Sequence, residues 1–395
     1  MLSGLRIDWY AIGCFCLGLS ARIAGIPFVS VDATKFLIPW YTTLCQGGFA
    51  TFATNFSNYS PPYLYLLWLA SHVFGPSHPL LAIKYVGITC DVGLCACVGL
   101  LVERCSSPVV PWERTFAITW CIPTVVANSS IWGQCDALYA AFVVGALVAA
   151  YSRPILALSL FGVAVSIKLQ AMFAAPALGL LLITGRLPWH SVLAAALSWL
   201  GLLVPAALAG RSWRDLLTIY AVQADSYHRV SMSAPNPWEL IVRIYHRLSW
   251  NLDHYYPILS TIALLATILG AILYLILGRR RLTPNKSSMP ELAFVAAFLF
   301  PFLLPEMHDR YFYLADVLSV ALAIADRRWL PIAVLVQIGS LSAYAPFLLG
   351  ITGPLILGVA ANTLVFAILL LRWYPRAEKL LPAWLRGAVP SIARP

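Results

Sequence analysis

Charged side chains are what this chain has least of. Lys, Arg, Asp and Glu make up 11% of its 395 residues, against about 25% in soluble domains. With 61% hydrophobic residues and a mean hydropathy of +0.80, the composition excludes a water-soluble globule. The alternating segments of about ten residues that an outer-membrane barrel requires are also missing. There is no GxxxxGK[ST] loop, which excludes nucleotide hydrolysis on a P-loop. There is no HExxH, and the seven His residues are too dispersed for a strong zinc site. No GxSxG elbow is present. Linkers, low-complexity tracts and internal repeats are lacking too, so residues 1–395 read as one integrated domain. The nine Cys residues are scattered. Cys14 and Cys16, and Cys95 and Cys97, have CxC spacing inside apolar runs and read as small packing residues rather than metal ligands.

What is present is a series of apolar runs. A helical crossing needs about 20 apolar residues, fewer where the helix is short or broken. Runs near 9–28, 84–102, 115–131, 137–151, 154–167, 169–185, 191–209, 258–278, 291–304, 314–325, 330–346 and 354–371 predict an all-α polytopic membrane protein with about twelve spans. No cleavable signal is evident, and the first run, after Arg6, reads as a retained span. Pro154, Pro176, Pro205 and Pro301 predict kinks. The net charge of +10 is no sign of nucleic-acid binding. Its basic residues fall in short clusters between spans, as expected of loops facing the cytoplasm and anionic lipid. Arg279 to Arg281 with Lys286, Asp326 to Arg328 and the Arg-bearing C-terminus are such loops. Loops at 103–114, 151–153 and 185–190 then share that face. The run 61–75 would invert every later loop if it crossed, so it is expected to be a re-entrant or juxtamembrane helix on the outer side. Two polar outer loops are expected, at 28–60 and 211–257.

The densest chemistry lies in LLPEMHDRYFYLAD, Leu303 to Asp316. Ionisable groups at the edge of hydrocarbon are costly and are retained where they meet something polar. A helix beginning after Pro305 would put Glu306, Asp309 and Arg310 on one side, with His308, Tyr311 and Phe312 beside them. The plainer alternative is helix capping plus one snorkelling Arg. Asp32, just past the first span, has the chemistry of a general base, although a lone loop Asp is more often simply solvated. Asp136 in IWGQCDALY opens a span and serves equally well as an N-terminal cap, and Trp132 as an interfacial anchor. Lys168 in SIKLQA interrupts an apolar run and calls for an anion, unless it snorkels to the surface. Arg310 is the stronger anion clamp, because guanidinium stays charged and binds phosphate oxygens bidentately.

Taken in order, Asp32, NYSPPYLYL, IWGQCDALY, SIKLQA and LPEMHDRYF resemble the motifs of bacterial GT-C membrane glycosyltransferases. The closest likeness is to mannosyltransferases related to the enzyme adding the second mannose of GPI anchors. The layout is also similar to glucosyltransferases that use dolichyl-phosphate-glucose. The motifs span most of the chain. Family members more often carry Phe or Val at Cys135, Pro at Leu169 and Glu at Asp309. The resemblance implies inverting transfer of a hexose, mannose by likeness alone, from a polyprenyl-phosphate donor to a glycan or glycolipid hydroxyl. It implies a multi-pass protein of the bacterial inner membrane with its site on the extracytoplasmic face. Carried over, Asp32 is the catalytic base. Arg310, Lys168 and His308 bind the donor phosphate. Glu306, Asp309, Asp136, Gln134, Trp132, Tyr59 and Tyr63 contact substrate. No cofactor is firmly implied, though a divalent ion bridging Asp32 and the donor phosphate fits outer-face carboxylates. Two other classes stay open on the residues alone. A transporter or lipid flippase would use Lys168, Arg310 and Asp316 as a substrate or proton path. A non-catalytic assembly subunit would tolerate neutral substitutions in the outer cluster.

Overall fold

The computed structural model describes residues 8–225, 228–283 and 288–374. Arg6, Lys286 and the basic tail beyond Tyr374 lie outside them. Among the described residues the regular structure is helical throughout. Five helices are long and apolar enough to cross a bilayer: Pro79–Cys105, Ser191–Leu208, Leu252–Arg281, Arg327–Leu349 and Leu355–Trp373. Six shorter apolar helices accompany them. The apolar windows of Ser191–Leu208 and Leu252–Arg281 are only 17% and 22% buried. So much uncovered hydrocarbon is stable only against lipid. The chain is an all-helical polytopic membrane protein.

Its contacts divide into two compact units, Met1–Met172 with Leu187–Ser226, and Phe173–Arg186 with Tyr227–Pro395. In the first, Pro79–Cys105 packs on Asp136–Ala149, which packs on Pro154–Ile167, which packs on Ser191–Gly201. The last contact is close because Gly162 has no side chain: a Cβ there would lie 2.1 Å from the Ala195 carbonyl oxygen. In the second unit, Leu330–Leu349 pairs with Leu355–Trp373, and Tyr313–Ala325 packs on Leu330–Leu349 and on Met289–Leu303.

Three local expectations are corrected. The run 115–131 is not one helix. Trp112–Trp120 ends, and a new turn starts at Pro123, whose ring cannot continue the preceding hydrogen-bond ladder. Pro154 does not kink a helix but occupies its first turn, where the missing N–H costs nothing. Pro176 and Pro205 open new segments where a run is interrupted, between Leu169–Ala174 and Ala175–Ile183 and between Ser191–Gly201 and Val204–Leu208. Of the four, Pro301 lies inside a helix. Finally, no helix begins after Pro305. The helix starts at Tyr313, and Glu306 takes φ +62. The backbone of 306–309 pairs instead with 230–232: Glu306 N–H donates to the Val230 carbonyl at 3.0 Å, Met232 N–H to Met307 at 3.0 Å and Asp309 N–H to Met232 at 3.2 Å. Glu306, Asp309 and Arg310 therefore do not share a helical face.

Candidate active site

The first unit assembles its site from the end of one helix and two widened helical turns. The helix Trp9–Gly25 leaves carbonyls without intrahelical partners at its C-terminus. Lys84 supplies them, its Nζ donating to Gly25 and Ile26 at 2.9 Å and to Phe28 at 2.5 Å. One turn earlier Arg22, 1% exposed, donates through Nε and Nη2 to Asp91 Oδ2 at 3.0 and 2.7 Å. Its plane lies over Trp120 at 3.5 Å from the ring centre. Ser129 Oγ also donates to Asp91, at 2.6 Å. These bonds fix the chain just before Asp32 and, through Asp91, tie it to the segment 127–132.

Asp32 precedes a wide π turn, Ala33–Leu37, and Ala127–Trp132 is a second. Such turns insert a residue and re-aim side chains, and they recur at functional sites. Gly133 follows with φ +83, a left-handed conformation open to glycine without cost. The reversal brings Trp132 and Gln134 to the same carboxylate. Trp132 Nε1 and Gln134 Nε2 both donate to Asp32 Oδ2 at 3.0 Å. Tyr59 donates its hydroxyl to Gln134 Oε1 at 3.0 Å, which sets the amide so that its NH2 faces Asp32. Tyr63 lies 5.8 Å from Tyr59, ring centre to ring centre.

A buried ion pair completes the network. Lys168 ends the helix Pro154–Ile167 in extended backbone, and its Nζ meets Asp136 Oδ1 at 2.5 Å. Asn128 donates to Asp136 Oδ2 at 2.7 Å. The same ammonium sits 4.9 Å from the Tyr59 ring centre. Asp136 does open a helix, but its carboxylate is turned to Lys168 and Asn128. A lysine buried this deeply requires an anion, as the sequence indicated, and finds one within the protein. Asp32, Tyr59, Trp132, Gln134, Asp136 and Lys168, far apart in sequence, thus form one bonded group.

The second unit carries the remaining candidates. Tyr256 donates its hydroxyl to Glu306. Asp309, 2% exposed, lies 3.8 Å from His308 Nδ1 and 3.8 Å from Arg310 Nε. His308 stands 5.3 Å from Tyr311, ring to ring. Asp316 leaves this group: it is buried on the helix Tyr313–Ala325 and accepts from Ser340 at 2.8 Å. No cluster of three or more His, Cys, Asp or Glu suited to a metal ion occurs among the described residues.

Sequence reasoning missed Arg22, Lys84, Asp91 and Asn128. The first three were legible as ionisable residues in or beside apolar runs, the signal that singled out Lys168. Asn128, an uncharged residue beside Ser129 and Ser130, carries no such signal.

A carboxylate oriented by two neutral donors, beside a buried Lys–Asp pair in a lipid-exposed bundle, has the chemistry to accept a proton from an alcohol. The class is a polytopic membrane glycosyltransferase. The chain belongs to glycosyltransferase family 87, whose model matches residues 56–305, more than half of its length. Membership decides for an enzyme over a transporter or an assembly subunit, and it implies a sugar donor and an acceptor. The matched stretch contains Tyr59, Trp132, Gln134, Asp136 and Lys168; Asp32 and Glu306 to Asp316 lie just outside it. No curated protein matches the chain.

Proposed function

We propose that the protein is a GT-C type enzyme that transfers a hexose, with mannose as first candidate, from a polyprenyl-phosphate to an acceptor hydroxyl, with inversion, at the extracytoplasmic membrane face. The observation that carries this reading is the pair of 3.0 Å hydrogen bonds from Trp132 and Gln134 to one oxygen of Asp32. They hold the carboxylate in one orientation. In the step proposed, the acceptor O–H gives its proton to Asp32 as its oxygen attacks the anomeric carbon. The bond from that carbon to the donor phosphate breaks, and its electron pair leaves with the lipid phosphate. A positioned base contributes roughly 10²–10⁴-fold.

Arg310 and His308 are proposed to bind the phosphate as its charge grows. Lys168 belongs to the same set by resemblance. Because it is paired with Asp136, it reaches a phosphate only by leaving that carboxylate. The basic loops between spans would face the cytoplasm, and the helix Pro61–Phe74 would lie on the outer side without crossing.

Mass spectrometry of envelope glycolipids and glycans from cells with and without the gene tests the reading. A missing hexose names donor class and acceptor together. Asp32→Asn should reproduce that loss, about 10²-fold or more, with normal amounts of folded protein. Normal turnover in this variant removes Asp32 from the mechanism.

A further inference from the structure

A second opening in the first unit has no part in the chemistry so far. A cleft of about 390 Å³ is lined by Phe36, Trp40, Asn55, Asn58, Arg211 and Asp215, among others. That volume falls within the roughly 300–1,000 Å³ of small-molecule sites. We propose that this cleft is a pyranose-binding subsite, taking one sugar ring of the substrate beside the Asp32 network. The inference rests on the glycosyl-transfer reading and assigns the place of one sugar in it.

The lining has the chemistry of a sugar ring. A pyranose offers an apolar C–H face and a rim of hydroxyls that both donate and accept. Phe36, 38% exposed, supplies an apolar surface, with its ring 5.9 Å from Trp40. Around it stand exposed Asn55, Asn58 and Asp215. Arg211 is the unusual member. It is only 4% exposed and gives Nη2 to Asn55 Oδ1 at 2.7 Å. Its Nε is buried with no hydrogen-bond partner among the described residues. An unsatisfied buried guanidinium N–H is costly, and a ligand oxygen is the ordinary remedy. The Asp215 carboxylate on the same wall would repel a phosphate but accept from a hydroxyl. Neutral, hydroxyl-rich ligands therefore fit better than anions.

The cleft is also wired to the proposed base. Phe36 follows Asp32 by four residues, and Trp40 follows Phe36 by four, so they lie along one side of the same helical stretch. Trp40 packs on Tyr59 with ring centres 5.0 Å apart. Tyr59 bonds Gln134, and Gln134 bonds Asp32. A sugar held in the cleft thus sits against Trp40, one ring away from the Tyr59 that orients Gln134.

Saturation-transfer NMR with methyl α-D-mannopyranoside and methyl β-D-glucopyranoside reads the cleft directly, on the full chain in phosphatidylcholine nanodiscs. Transfer to ring protons of one of the two is expected for the wild type and for Asp32→Asn. Affinity should fall about tenfold in Arg211→Met and in Asp215→Asn, the effect of losing one hydrogen bond to a charged group. Asp215 is exposed, so Asp215→Asn keeps the test decisive should Arg211→Met fail to fold. No transfer in the wild type, or undiminished transfer in the folded variants, overturns the proposal. The source of the sugar is read from turnover: a higher KM for the acceptor alone assigns the cleft to the acceptor ring, and a higher KM for the lipid-linked donor alone assigns it to the donor ring. Pyranoside binding in a chain that moves no hexose would leave the cleft standing and remove the catalytic reading.

Discussion

The candidate groups of the two units are held in different ways. In the first, the buried charges around the site are closed onto partners: Arg22 on Asp91, Lys84 on three carbonyls, Lys168 on Asp136, at 2.5 to 3.0 Å. In the second, His308, Asp309 and Arg310 stand on irregular backbone, with an Asp309 carboxylate oxygen 3.8 Å from both His308 Nδ1 and Arg310 Nε. Groups closed on each other position a site. In the reading proposed above, the first unit holds the base, and Arg310 and His308 in the loop would meet the donor phosphate.

The largest effect should come from opening a closed pair. Arg22→Met leaves Asp91 buried without its cation and should cost about 3–5 kcal/mol of stability. Adding Asp91→Leu should restore much of it, because the uncompensated charge is removed. Thermal unfolding in detergent reads both, and the contrasting variant is Glu306→Gln in the loop, expected to cost under about 1 kcal/mol. Equal losses at the two sites would erase the distinction between the units.

Arg310→Ala tests the loop's half of the comparison. Loss of one charge-assisted contact should raise the KM for the lipid-linked donor by roughly ten- to a hundredfold, with little change in the acceptor KM. A donor KM that does not move would remove Arg310 from donor binding. Tyr59→Phe is a smaller test of the first unit. It frees the Gln134 amide to rotate and should lower kcat about three- to tenfold at unchanged stability; an unaltered kcat would show that the amide needs no such anchor. The smallest effect belongs to Asp8, outside the bundle. Its hydrogen bond from Arg114 holds the carboxyl below the usual carboxylate range. A group whose folded pKa is depressed contributes stability above its unfolded value and loses it as pH falls through the folded one. Asp8→Asn should therefore differ slightly from the wild type near neutral pH, with the difference vanishing in strong acid. A difference that grew on acidification would contradict the assignment.

The residues of the site were legible to different degrees for physical reasons. Lys168 and Asp136 stood out because a charge in an apolar run is expensive and must be satisfied. That they satisfy each other was not legible, since 32 residues and a turn of extended backbone separate them. Asp32 could be singled out as a carboxylate past a span, but its two donors depend on Gly133 turning left-handed and on two widened turns. Neither turn leaves a periodic mark in the sequence. The loop 303–312 was misread because i, i+3, i+4 spacing of polar groups is compatible with a helix. The competing partner, the backbone of 230–232, lies about seventy residues away in the chain.

Composition and the spacing of apolar runs determined that this chain is a bundle of helices in lipid, because hydrocarbon leaves the backbone few other ways to satisfy its polar groups. They also marked which charges had to matter, through the cost of burying them. Which carboxylate meets which donor, which lysine is already neutralised and where a sugar ring fits were decided by tertiary structure alone. Those outcomes turn on hydrogen bonds between segments as much as a hundred residues apart.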